Sequence, residues 1–352
     1  LNYHVVSDPD QVAEVLRRHD DFHPTNALTS VITLHPATLR ALNQVGFALP
    51  PVLASATGLE HSAARAVVGR FFTPKRVTAI RPRVVELTQD HCHAVARELR
   101  CGTSDFAVVA NQVPPVIMSE LIGLPLPELG LLKRWSQDSL ELFWGWPDPA
   151  RQLQLAASAC EFYGWLREQV VASSGRESLF AALREDGVSV EQICSLGYFL
   201  VIAAQETTAQ LTAIATYRAL RDRRWPELID PGRARDLVRG VLASESPVST
   251  WRRTARHDTR LGGVPIPAGA EILLELSGNH RANARPSAYR LAFGHGIHRC
   301  LGANLAELEA VTILHESARA LPGLALSGPE PEWFRLLSFR TPRTVTVRSS
   351  AP

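Results

Sequence analysis

Leu291-Ala-Phe-Gly-His-Gly-Ile-His-Arg-Cys-Leu-Gly302 is the stretch on which the whole chain turns. Three glycines, Gly294, Gly296 and Gly302, surround one thiol, Cys300. An apolar pattern of helical period follows at once, at Leu301, Leu305, Leu308, Val311 and Leu314. Glycines let a backbone turn tightly and approach a flat partner closely. A thiolate at a helix N-terminus is favoured by the unpaired N–H groups and the helix dipole. The local physics is that of a deprotonated sulfur presented by a tight loop. The plain alternative is a Gly-rich turn around a buried structural Cys.

Phe293, Gly294, Gly296, His298, Cys300 and Gly302 meet, without mismatch, the pattern Phe-Gly-x-Gly-x-His-x-Cys-x-Gly. With them the stretch resembles the heme-binding signature of the cytochrome P450 family. The resemblance implies a mainly α fold with a small β region, in one domain spanning 1–352. It implies heme b (iron protoporphyrin IX) between a long central helix and the Cys300 loop. Cys300 would be the metal ligand, a thiolate that pushes electron density toward oxygen. Phe293, Gly294 and Gly302 would lie against the heme, with His298 at a propionate.

Composition sets bounds around this loop. The 352 residues can bury a sizeable core. The net charge of +2, with no block of like charge, gives nucleic-acid binding no electrostatic support. Cys92, Cys101, Cys160, Cys194 and Cys300 are odd in number and never spaced Cys-x-x-Cys, which argues against a zinc site or a secreted disulfide framework. The longest apolar run, near Ile193–Ala204, is too short to span a bilayer, and no signal-peptide pattern is visible. A cytoplasmic protein without a membrane partner is expected. The start at Leu1, without Met, suggests that an N-terminal segment has been removed.

Along the chain, Val5–Val6, Asp8–Asp10 and Gln11–Arg18 predict a strand end, an N-cap and a helix. His23–Gly58 has little periodicity and is expected to be a long loop; in the resembled family this region covers the substrate pocket. Helices are expected at Val77–Leu99, Val113–Leu124, Leu131–Leu142, Gln152–Val171, Glu177–Glu185 and about Ser189–Arg221. Phe143-Trp144-Gly-Trp146-Pro predicts a turn. Leu261–Gly269 predicts strand–turn–strand, and Leu336–Val347 a hairpin.

Inside the longest predicted helix lies Ala203-Ala-Gln-Glu-Thr-Thr208, a polar segment that is costly to bury unless paired or used. It resembles the family's oxygen-activation segment. The resemblance implies Glu206 and Thr207 as a catalytic acid–alcohol pair, with Ala203 and Ala204 beside the heme. Ala204 stands where the family usually has Gly, narrowing the space there. His61 and Arg65, one helical turn apart, can face the same way. A surface pair is the alternative to the family's propionate donors. Arg253 aligns with a further propionate-binding Arg, and Arg252 serves if the register slips by one.

One family feature is missing. In register with Pro247, the positions of the family's Glu-x-x-Arg pair hold Gly240 and Ala243, and Asp236/Arg239 carry that spacing one helical turn upstream. The segment between Asn279 and Leu291 is also shorter than the family's meander. Loss of a whole buried ion network can be nearly neutral where loss of one partner is not.

Trp144, Trp146, Phe199, Trp251 and the hairpin tip at Leu337 are the candidate substrate-pocket residues, apolar and aromatic on balance. They suit a bulky aromatic small molecule or a peptide-like substrate. The resemblance implies a bacterial monooxygenase of specialised metabolism, performing hydroxylation or oxidative C–C, C–O or C–N coupling. Ferredoxin and ferredoxin reductase would supply NAD(P)H-derived electrons. A reading from another class is a heme-binding scaffold or sensor that assists a partner protein; retained Glu206 and Thr207 discriminate against it.

Overall fold

The computed structural model describes residues 2–278 and 288–350. β1 (Tyr3–Val6), α1 (Pro9–Arg17) and β2 (Phe22–His23) open the chain, followed by α2 (Pro36–Gln44) and α3 (Gly58–Gly69). Next come α4 (Pro74–Ala79), α5 (Arg81–Leu99), β3 (Thr103–Asp105), α6 (Ala107–Ile122) and α7 (Leu129–Trp144). The middle of the chain is α8 (Pro149–Val171), α9 (Leu179–Glu185), α10 (Val190–Arg221) and α11 (Pro231–Glu245). Strands β4 (Thr250–Ala255), β5 (Thr259–Leu261), β6 (Val264–Ile266) and β7 (Glu271–Glu275) precede α12 (Ala303–Ala320). β8 (Leu324–Leu326), β9 (Trp333–Arg335), β10 (Arg340–Pro342) and β11 (Thr346–Ser349) close it.

The sequence signals act where they stand. Asp8 caps α1 by accepting from the Gln11 N–H at 2.9 Å, with Pro9 preset in the first turn. Ser189 and Gln192 form a reciprocal capping box at the start of α10. From there α10 runs for 32 residues, about 48 Å, and packs against α6, α8, α11 and α12. It is buried on most of its circumference, as a helix enclosed by neighbours must be. The Trp225 indole N–H donates to the Leu321 carbonyl at 2.9 Å, tying the end of α12 to the segment after α10.

The β region is peripheral to this bundle. One sheet runs β1-β7-β4-β2, with β1 parallel to β7 and the other neighbours antiparallel. A second runs β3-β11-β8, and β5/β6 and β9/β10 are two-stranded. The first sheet and α1 bury their own small core of Val12, Val15, Phe22, Ile272 and Leu274.

Four expectations need correction. The stretch 23–58 contains α2, where His35 caps the Ala37 N–H and Thr38 and Leu42, one turn apart, are buried; a His cap is a weak sequence signal. Val77–Leu99 breaks at Ile80, because Pro82 has no N–H and opens α5 instead of continuing α4. α6 begins at Ala107 and passes through Pro114 and Pro115, both buried, so burial against α10 outweighs the lost backbone bonds. The terminal hairpin is β9/β10 with its tip at 336–339, while β11 leaves it to pair with β3 and β8. The segment between Asn279 and Leu291 lies largely outside the described residues.

Gly197 shows how tightly α10 is held. A Cβ there would stand 2.7 Å from the buried Phe180 ring and 3.4 Å from Leu166. Gly197→Ala gains about 1 kcal/mol of helix propensity but costs about 1–3 kcal/mol of overpacking. A net loss of stability in urea unfolding is therefore expected, where propensity alone predicts a gain.

Candidate active site

The loop before α12 is built from its backbone. The Cys300 N–H donates to the Phe293 carbonyl at 2.8 Å, and Gly294 N–H to Leu291 at 2.8 Å. Gly294 and Gly296 turn the chain at φ +71° and +69°, in the left-handed region. Gly296 has a second reason to be Gly: a Cβ there would sit 2.7 Å from the Leu16 carbonyl of α1. The Cys300 side chain is exposed, and what it faces is a cavity of about 300 Å³ that is partly open to solvent. Burial pushes its thiol pKa up, against the pull of the Gly302 N–H, Arg65, Arg299 and the Ala303 N–H. The lowering groups are the start of α12 and two arginines, which is the environment that a metal-bound thiolate needs.

Across the cavity stands α10. Ala203, Ala204, Glu206 and Thr207 all line it, as Cys300 does. The Thr207 hydroxyl donates to the Ala203 carbonyl at 2.6 Å, which leaves its lone pairs free to accept. Glu206 is 3% exposed, and Lys133 Nζ on α7 meets its Oε1 at 2.7 Å. Lys133 gives no signal of this pairing in the sequence.

A cluster of basic groups rims the same space. Arg253 on β4 is 1% exposed, donates to the Arg252 carbonyl at 2.8 Å, and makes no ion pair among the described residues. Its Nη2 lies 3.5 Å from His298 Nδ1, while His298 Nε2 lies 2.8 Å from the Ala56 carbonyl. The tautomer that satisfies both contacts has the proton on Nε2. Burial lowers the pKa of His298 to about 4 and that of Arg253 to about 10. His61 on α3 is buried, its ring 5.0 Å from that of His298, and burial lowers its pKa too. Arg65 donates to the Arg299 carbonyl beside Cys300. Arg253 Nε and His61 Nε2 have no hydrogen-bond partner among the described residues. A fully buried guanidinium without a counter-ion is costly, and among the described residues none supplies one, so this rim fits an anionic ligand.

Known proteins resemble the chain along most of its length. The P450 monooxygenase PikC of Streptomyces venezuelae is 31% identical over 316 residues, covering 82% of this chain and 73% of that protein. Mycinamicin IV hydroxylase/epoxidase of Micromonospora griseorubida is 30% identical, covering 82% and 77%. No family model matches. The chain belongs to the cytochrome P450 family. Its fold agrees with the solved structure of cytochrome P450 CREJ in complex with (4-ethylphenyl) dihydrogen phosphate, at TM-score 0.91 and 27% identity, over 99% of this chain and 92% of that one. It is an enzyme of the monooxygenase class, and its cofactor is heme.

The residues present fit that group. Heme brings two carboxylates, and on the cavity wall the buried Arg253, whose Nε has no partner among the described residues, with Arg65 and His298 beside it, offers the donors that such a dianion would satisfy. Of the cysteines, Cys300 alone lines the cavity among the described residues. Trp144, Phe199 and Trp251 line it as well. Trp144 is the last residue of α7 rather than part of a turn; the helix ends at Gly145. Trp146 is 56% exposed and off the cavity wall, because Gly145 and Pro147 carry it out between α7 and α8. Leu337 does not line the wall either: its N–H is bound to the Trp144 carbonyl at 2.9 Å, and Phe339 of the same tip faces the cavity instead. His61 touches the site only through His298.

Two substitutions test this electrostatics. Lys133→Met strands the buried Glu206 carboxylate and is expected to cost about 2 kcal/mol in chemical denaturation, most of it recovered in Lys133→Met/Glu206→Gln. Arg253→Leu is expected to weaken heme binding by tenfold or more while leaving the heme-free protein as stable or more so, by titration and melting of the two forms.

Proposed function

We propose that this P450 oxygenates a bulky apolar substrate carrying an aromatic ring, using non-covalently bound heme b and electrons delivered by a ferredoxin and its reductase. The observation that carries the substrate reading is an aromatic wall assembled from four separate elements. Trp144 of α7 stacks on Trp251 of β4 at 6.3 Å, and meets Phe339 edge-on at 5.0 Å and Phe199 of α10 edge-on at 6.3 Å. All four line the cavity that Cys300 faces, together with Leu28, Val52, Leu140 and Leu200. Such a surface rewards flat apolar ligands and offers little to small polar ones.

Bound heme supplies oxygen activation, putting one atom of O₂ into a substrate C–H bond while the other leaves as water with two electrons and two protons. The chain's own residues do the rest. Cys300 would anchor the group, Arg253, Arg65 and His298 would hold its carboxylates with His61 packed behind His298, and the aromatic wall would exclude water. Glu206 and Thr207 are placed to move protons into the cavity. Thr207 keeps its own proton on the Ala203 carbonyl and accepts from the cavity side. Glu206 must exchange its Lys133 contact for a cavity water before it can carry a proton inward. Noncovalent attachment is supported by the absence of a Cys-x-x-Cys-His segment, and the specialised-metabolism setting by relatives such as PikC.

Substrate-induced spectral shifts across a compound panel test this directly. Aromatic polycyclic and aryl-bearing ligands should bind, and Trp144→Ala should weaken them by about tenfold. A response confined to small polar compounds contradicts the reading. With a bound substrate and a ferredoxin system, Thr207→Ala should keep consuming NAD(P)H while product per electron pair falls severalfold.

A further inference from the structure

Arg239 on α11 makes a contact that the P450 assignment does not require. Its Nη2 and Nε reach Glu307 Oε1 on α12 at 2.6 and 2.8 Å. The same guanidinium sits over the Tyr289 ring, 4.8 Å from its centroid. Tyr289 belongs to the 3₁₀ turn Ala288–Phe293, whose last carbonyl accepts the Cys300 N–H. Glu307 belongs to the first turns of the helix whose N-terminal N–H groups surround the Cys300 sulfur. One side chain therefore grips the segment that enters the Cys300 loop and the helix that leaves it.

From this geometry we propose that Arg239 is a positioning residue for the Cys300 loop, clamping its two flanks to α11 through Glu307 and Tyr289. Without the clamp, α11 would still pack by Leu237, Val238, Val241 and Leu242, all buried, so the fold does not depend on it. What the clamp fixes is the angle between the 3₁₀ turn and α12, and with it the distance from the Cys300 sulfur to the Gly302 and Ala303 N–H groups. The ion pair is part-exposed, with Arg239 at 40% and Glu307 at 19%, so its contribution to global stability is small. Its effect belongs in the local order of the loop rather than in the melting temperature. Gly240 and Ala243, on the same helix, offer no charged group that could serve instead. The inference rests on the heme-thiolate reading for its meaning, though not for its readout.

The test is Arg239→Ala in the heme-loaded protein, read by hydrogen exchange and by the rate of heme loss to an apomyoglobin acceptor. Exchange of the amides in 288–302 should quicken roughly five- to tenfold, with heme loss faster by a similar factor and α7–α8 exchange unchanged. Arg134→Ala, which breaks the exposed Arg134–Glu161 pair between α7 and α8, should change neither. Glu307→Gln keeps the shape and removes the charge; it should fall between wild type and Arg239→Ala, and it carries the test if Arg239→Ala does not fold. Exchange in 288–302 and heme loss both within twofold of wild type would overturn the proposal. Should the wild type show no sulfur-ligated heme spectrum, the heme-thiolate reading fails, while the exchange data still decide the clamp.

Discussion

The structure depends on one sulfur being kept accessible inside a folded core. Burial drives the Cys300 thiol toward its neutral form, and the chain opposes this with the first N–H groups of α12 and the nearby Arg65 and Arg299. Everything around the loop follows from that opposition. Gly294 and Gly296 make a turn tight enough to aim the sulfur into the cavity, and Gly296 lets α1 close over the loop's outer side. α10, held on most of its circumference, supplies a wall opposite the sulfur that cannot drift.

Charge is distributed by the same logic. The cavity rim holds buried cationic and imidazole groups with no anion facing them among the described residues, and the carboxylates of heme would complete them. On the far side, the buried Glu206 carboxylate does have an internal partner, Lys133. The first arrangement costs the heme-free protein stability that a bound anion would restore. The second keeps the Glu206 carboxylate paired while buried, and in the proposed function its release to a cavity water would supply protons. The same cavity is walled by Trp144, Trp251, Phe199 and Phe339, the surface that the proposed function gives to the substrate.

Much of this was legible in the sequence, unevenly. The Cys300 loop was legible because backbone geometry forces glycine at particular positions, and a forced residue type is visible without its partners. Glu206 and Thr207 stood out because polar groups inside an apolar helix need a reason. Long helices with strong caps, such as α8 and α10, were bounded to within three residues. Partners brought together by tertiary packing left no trace: Lys133 beside Glu206, Phe339 rather than Leu337 at the cavity, and Trp146 turned to solvent. α2 was hidden by a His cap, and the first half of α6 by two prolines that packing against α10 overrides. The same holds for Arg239, whose sequence spacing to Asp236 suggested a pair, while in the fold it reaches Glu307.

The central claim is that Cys300 ligates heme as a thiolate in this chain, despite Gly240 and Ala243 at the positions of the family's ion pair. The most direct test is the absorption spectrum of the reduced, carbon monoxide-treated protein beside its Cys300→Ala variant. A strongly red-shifted Soret band in the wild type, absent from the variant, is the predicted result. A band at the neutral-thiol or histidine position in both proteins, or no heme binding, would contradict it.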